Sequence, residues 1–215
     1  MNKTAIKNFA VWARNKLEKD ISKKTELFGV SDKGIVQPLA QSTDDLLFLD
    51  IGTKEYSKID GKTAIGQRKA LIEHIKSQEN EIEYERAYHV EVEKIAYTWF
   101  NRLIAIRFME VNDYLPIRCR VLSSENPAKN EPDFVTNPFD TDLDFSDEEV
   151  QKIYRLKDDA SKEASDELFG MLVIKLCNRL HEILPELFEK IDDYTEPFLN
   201  LSFADEDGIV YHLVH

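Results

Sequence analysis

Residues 97–110 read YTWFNRLIAIRFME, an apolar run interrupted by Asn101, Arg102 and Arg107 and closed by Glu110. Its periodicity is helical and extends in both directions. Tyr88, Val92, Ile95, Trp99, Leu103 and Ile106 line one stripe; Ala96, Phe100, Ile104, Phe108, Val111 and Leu115 line a second beside it. Two adjacent stripes bury more than half of a helix's circumference, so the pattern predicts a central helix over about 81–115, ended by Pro116. At ~1.5 Å per residue such a helix would span about 50 Å if unbroken. Asn101 falls opposite Trp99, and Arg102 falls on the edge between faces. Arg107, four residues after Leu103, is drawn inward, where a guanidinium needs a carboxylate. Glu110 stands three residues on, so Arg107 and Glu110 are expected to form a structural ion pair within the helix.

Outward from this helix the chain reads as further helices joined by loops. Residues 2–28 carry Ile6, Phe9, Ala13, Leu17, Ile21 and Phe28 at helical spacing, with Gly29 as the stop. Residues 30–62 hold Gly34, Pro38, Gly52 and Gly61 and read as a loop region, within which "LLFLDI" (46–51) suits either a strand or a helical turn. Residues 63–79 suggest a shorter helix weakened by Gly66. Residues 117–145, with Pro127, Pro132 and Pro138, form a long loop. Ser146 with Glu149 is a capping box that opens the next helix. A helix over 161–184 follows, and Pro185 suits the first turn of another. The fold class expected is mainly α: one multi-helix domain over 1–215 around the central helix, with long loops and at most a minor β element.

Composition excludes several classes. The longest apolar runs fall short of the roughly 18 residues a membrane span needs. The start, "MNKTAIKNFAVW", has neither the apolar core nor the cleavage site of a secretory signal. Cys119 and Cys177 are the only cysteines, which argues against a cysteine-rich zinc site or a disulfide scaffold and fits the cytoplasm. The net charge of −13 is unevenly spread. Residues 1–80 carry 14 Lys+Arg against 11 Asp+Glu, whereas residues 121–215 carry 8 against 23. A uniformly DNA-coating surface is therefore not expected, because it would need excess positive charge. A local basic face is: Lys3, Lys7, Arg14, Lys16, Lys19, Lys23 and Lys24 stand against two acids in residues 1–24, with Arg68, Lys69 and Lys76 adding to them from the next helix. These cations read either as a solvated helix face or as a phosphate-contacting surface.

Catalytic signatures are missing. Neither glycine-rich nucleotide-binding pattern occurs. "NPFD" (137–140) has one proline where the base-gripping motif of amino-methyltransferases has two, and it reads as a chance match. No glutamate has a lysine two positions on, and Asp60-Gly61-Lys62 sits in a turn context, so a nuclease-type metal site is not indicated. The five histidines never fall at the i, i+4 spacing of a helical zinc site; His212 and His215 stand three apart at the chain end. The acidic run 140–149 lacks the glycine and final glutamate of a calcium loop and reads as helix-start charge. No catalytic, cofactor-binding or metal-binding residue is therefore assigned.

Four stretches carry a resemblance. "AYTWFNRLIAIRFMEVNDYLP" (96–116), together with "MNKTAIKNFAVWARNKL" (1–17), "VLSSENPAKNEPDFVT" (121–136) and "LPELFEKIDDYTE" (184–196), resembles the N-terminal region of the PglX family of adenine-specific DNA methyltransferases of BREX phage-defence systems. That resemblance runs over nearly the whole chain. It implies N6-adenine methylation of double-stranded DNA with S-adenosylmethionine by a much longer parent enzyme, whose cofactor and base-binding motifs lie downstream. It leaves this chain with a non-catalytic role, supporting the catalytic domain and contacting DNA. The alternative is an interaction module whose acidic C-terminal third docks other phage-defence subunits. The chain's last residues, "GIVYHLVH", read as the start of a continuing apolar element and suggest an N-terminal fragment.

Overall fold

The computed structural model describes residues 3–79, 81–188, 194–195, 198 and 200–215. They form a mainly α fold with two small antiparallel ribbons. In chain order the elements are α1 (Lys3–Leu27), β1 (Val30–Ser31), β2 (Gly34–Ile35), β3 (Leu46–Leu49), β4 (Ser57–Asp60), α2 (Lys62–Gln78), α3 (Tyr84–Val111), α4 (Asp133–Thr136), α5 (Asp147–Asp158), α6 (Lys162–Ile183) and α7 (Ile209–Val214). They fall into two compact units, one of residues 1–98 and 192–199, the other of residues 99–191 and 200–215. The expected central helix is α3, and it contributes to both units.

In the first unit, Ala13, Leu17 and Ile21 give α1 a fully buried face. Gly29 ends it at φ +67, a conformation glycine adopts without strain. A Cβ there would meet Leu49 Cδ1 at 3.0 Å and Val36 Cβ at 3.1 Å, so the close approach also demands glycine. "LLFLDI" resolves as a strand: β3 pairs with β4 in the register Leu47↔Ile59 and Leu49↔Ser57. Leu47, Leu49 and Ile59 turn inward, where Phe28, Val36 and Ile65 pack against them. Alternation of buried and half-exposed residues along β3 is the period of a ribbon with one covered face. Gly61, at φ +87, forms the turn into α2, in keeping with the turn reading of Asp60-Gly61-Lys62.

In the second unit, α6 supplies the most deeply buried face. Leu168, Phe169, Leu172, Leu176 and Leu180 repeat at helical spacing and are all excluded from solvent. Ser146 caps α5 through the reciprocal bonds expected of it: its hydroxyl accepts from Glu149 N at 3.3 Å, and Glu149 Oε2 accepts from Ser146 N at 2.8 Å. Lys175 reaches the same carboxylate at 2.8 Å, which ties α6 to the start of α5. Together these bonds outweigh partial burial and hold the Glu149 carboxyl below the usual range. The apolar C-terminal stretch forms α7. Pro185–Leu187 are in turns where the sequence suggests the first turn of a helix, and the positions just after Phe188 lie outside the described residues.

The end of α3 differs from expectation in an informative way. The helix stops at Val111, before Pro116 is reached. Asp113 takes a left-handed conformation at φ 57. Its amide donates to Glu110 O at 3.4 Å, and the Tyr114 amide donates to Met109 O at 2.8 Å. These two bonds are a Schellman motif, which satisfies the last helical carbonyls and turns the chain away. The second stripe therefore breaks up: Phe108 and Val111 are exposed, and Leu115 is buried from outside the helix.

Candidate functional site

Two polar centres are built on α3, one in each unit. In the second unit Glu110 is buried, and its carboxylate accepts four hydrogen bonds. Arg107 Nη1 donates to Oε1 at 2.6 Å and Ser123 Oγ donates to the same oxygen at 2.8 Å. The amides of Val121 and Leu122 donate to Oε2 at 2.5 and 2.7 Å. Arg120 completes the arrangement by donating to Glu110 O. Arg107 and Glu110 thus meet within the helix, as their spacing suggests. The pair also anchors the long segment after α3, which has its own internal bonds: Ser124 Oγ and Glu125 N both donate to the Asp133 carboxylate, and Phe134 N donates to Arg120 O. A buried charge held by this many donors is an organising centre for backbone. With every lone-pair direction engaged, the carboxylate has no free oxygen to accept a proton from a substrate.

In the first unit Glu91 is equally buried. Tyr194 Oη donates to its Oε1 at 2.8 Å and Gln78 Nε2 to its Oε2 at 3.0 Å, with Lys94 Nζ 3.7 Å away. The His74 ring stacks on Tyr194 with centroids 4.3 Å apart. Sequence reading passed over Glu91, although its place between Ala87 and Ile95 at intervals of four is the buried stripe. Arg102 departs from expectation in a similar way. Read as an edge residue, it is only 2% exposed, with its guanidinium 5.4 Å from the Trp99 ring centroid. Aromatic packing draws it in further than its place on the wheel suggests.

The candidate DNA-contacting cations do not form one surface. Arg68 is buried, its Nε donating to Phe28 O at 2.7 Å and its Nη2 to Val36 O at 2.5 Å. It fastens the β1–β2 ribbon to α2 and is unavailable to a phosphate. Arg14 is bound to Glu18 at 2.7 Å and Glu93 at 3.2 Å, and Lys16 to Asp20 at 2.7 Å. Lys69 lies 3.9 Å from Glu73. Lys3, Lys7, Lys19 and Lys23 are exposed. At ~100° per residue, Lys16, Lys19 and Lys23 share an arc of about 60° on α1, while Lys3, Lys7 and Arg14 point elsewhere. Among the described residues no group of three or more His, Cys, Asp and Glu could hold a metal. "NPFD" lies in a 3₁₀ turn after α4. No helix among the described residues is long and apolar enough to cross a membrane.

No protein-family model matches the chain. Two relatives do, each along the whole of it. The adenine-specific methyltransferase PglX of Lacticaseibacillus casei (strain Zhang) is 38% identical over 217 residues, which is 18% of that protein. The chain resembles part of an adenine-specific methyltransferase. The adenine-specific methyltransferase BrxX of Escherichia coli O9:H4 (strain HS) is 31% identical over 220 residues, 17% of its length. The chain thus spans less than a fifth of the curated relatives it matches. The likeness agrees with that read from the motif around Tyr97–Glu110.

Proposed function

We propose that this chain is the N-terminal, non-catalytic region of a DNA N6-adenine methyltransferase of a BREX-type phage-defence system. It works in the cytoplasm, steadies the catalytic region and lends it contacts to double-stranded DNA. The observation that carries this is the whole-length similarity to PglX at 38% identity. Two further features support a structural role. Glu91 and Glu110, the buried carboxylates of α3, are both taken up by internal donors. The chain also has no glycine-rich nucleotide turn. S-adenosylmethionine is then bound by residues of the parent enzyme outside this chain.

The DNA contact is assigned to the Lys16–Lys19–Lys23 arc of α1. Fluorescence anisotropy on a short adenine-containing duplex tests it, with the 215-residue chain titrated at several salt concentrations. Binding should weaken steeply with salt, as counterion release requires, and disappear when all three lysines become glutamate. Salt-independent binding, or binding that survives the triple reversal, would remove the assignment. A second reading has its own observation. Phe139 and Tyr154 are exposed with ring centroids 5.4 Å apart, in the acidic third of the chain. Such a patch suits docking of another defence subunit, and co-purification of a subunit without DNA binding would favour it.

A further inference from the structure

The second unit carries a groove that none of its described residues fills. Phe108, Met109 and Tyr114, at the C-terminal end of α3, form one wall, and Ile183, Leu184 and Leu187 line the other. The space is about 370 Å³. Its walls are unusually exposed for large apolar side chains: Tyr114 is 64% accessible, Phe108 60% and Leu187 49%. The Schellman turn at Asp113 holds Tyr114 beside Met109, so one wall is fixed by backbone hydrogen bonds. An apolar patch built on ordered backbone is the mark of a protein contact. Its setting between helix ends suits an amphipathic helix that inserts side chains at i, i+3/i+4 spacing.

Relative length indicates the occupant. More than four-fifths of PglX and of BrxX lies outside the stretch this chain matches. A segment tethered in the same polypeptide meets the groove at millimolar effective concentration, where a free partner would need a much larger interface. We propose that the groove seats an amphipathic helix from the remaining part of the methyltransferase polypeptide, with two or three large apolar side chains laid between Phe108 and Leu187. The proposal rests on the reading that the chain is one region of such an enzyme.

Thiol labelling tests it. Leu187→Cys and Phe108→Cys are made in the isolated chain, and in a full-length polypeptide in which this chain replaces the matching stretch of L. casei PglX. The native thiols should react slowly, since burial pushes the Cys119 thiol pKa up to about 11, with Asp133 and Glu110 adding to the effect, and that of Cys177 up to about 12. Maleimide should label both introduced thiols at least tenfold more slowly in the full-length polypeptide, while a Lys69→Cys control labels equally in the two. Equal rates at positions 108 and 187 would overturn the proposal. So would protection in the isolated chain that grows with its concentration, since a second copy would then be the occupant. Limited proteolysis gives an independent reading: Leu187→Glu should make the region separable from the rest at least tenfold faster, with the isolated chain's melting unchanged. Unchanged proteolysis would count against a seated helix. Adenine methylation by the same polypeptide keeps the two ideas apart. An active enzyme with an open groove removes this proposal and leaves the functional reading standing; a protected groove without methylation does the reverse.

Discussion

Glu91 and Glu110 are two buried carboxylates on one helix, and they are satisfied in different ways. Glu91 draws on two side chains, Tyr194 and Gln78, with Lys94 at 3.7 Å. Glu110 draws on a guanidinium, a hydroxyl and two consecutive backbone amides. The first centre joins side chains that could repack around a substitute. The second holds the backbone of a segment that has little regular structure. A buried charge is costly when left without partners, so the carboxylate with backbone partners should matter more to stability.

The most severe test of this contrast is Glu110→Ala. It deprives Arg107 of its carboxylate and two buried amides of their acceptor, and should cost ~3–5 kcal/mol, read as a lowered urea midpoint and rapid proteolysis within 117–136. Glu91→Ala loses neutral donors and should cost about 1–3 kcal/mol. If the order were reversed, backbone anchoring would not be the reason for the difference. Ser146→Ala removes a helix cap and should cost ~1 kcal/mol in thermal unfolding. The smallest effect concerns Glu149, a carboxylate on the solvent side. Its folded pKa is depressed, so its contribution is present above the unfolded value and lost as pH falls through the folded one. Glu149→Gln should therefore lower stability slightly at neutrality and converge with the unsubstituted chain as pH falls below roughly 4.5, which flattens the acid limb. An unaltered acid limb would mean that Lys175 and Ser146 do not favour the charged form.

Much of this was legible in the residues. The first stripe of α3, from Tyr88 to Ile106, is buried throughout, because apolar side chains at that spacing have no other face to occupy. The Arg107–Glu110 pair follows from three-residue spacing alone. The backbone amides of Val121 and Leu122 could not be foreseen, because loop conformation leaves no periodic trace. Arg68 misled for a related reason. A cation beside Lys69 reads as surface charge, yet the carbonyls of Phe28 and Val36 are its partners, and they become neighbours only on folding. Helix α3 stops early because Asp113 takes up a left-handed conformation, a stop that the sequence masks by offering Pro116 a few residues later. The groove beside it was hidden by the same feature, since Phe108 and Val111 fit a continuing buried stripe.

Methyl transfer by the isolated chain is the most direct measurement. The 215 residues are incubated with labelled S-adenosylmethionine and adenine-containing duplex DNA, beside the full-length polypeptide that carries them. If the carboxylates of α3 serve structure and the chemistry lies elsewhere in the enzyme, the full-length protein labels adenine and the isolated chain gives only background. Adenine labelled by the isolated chain would contradict that division of labour.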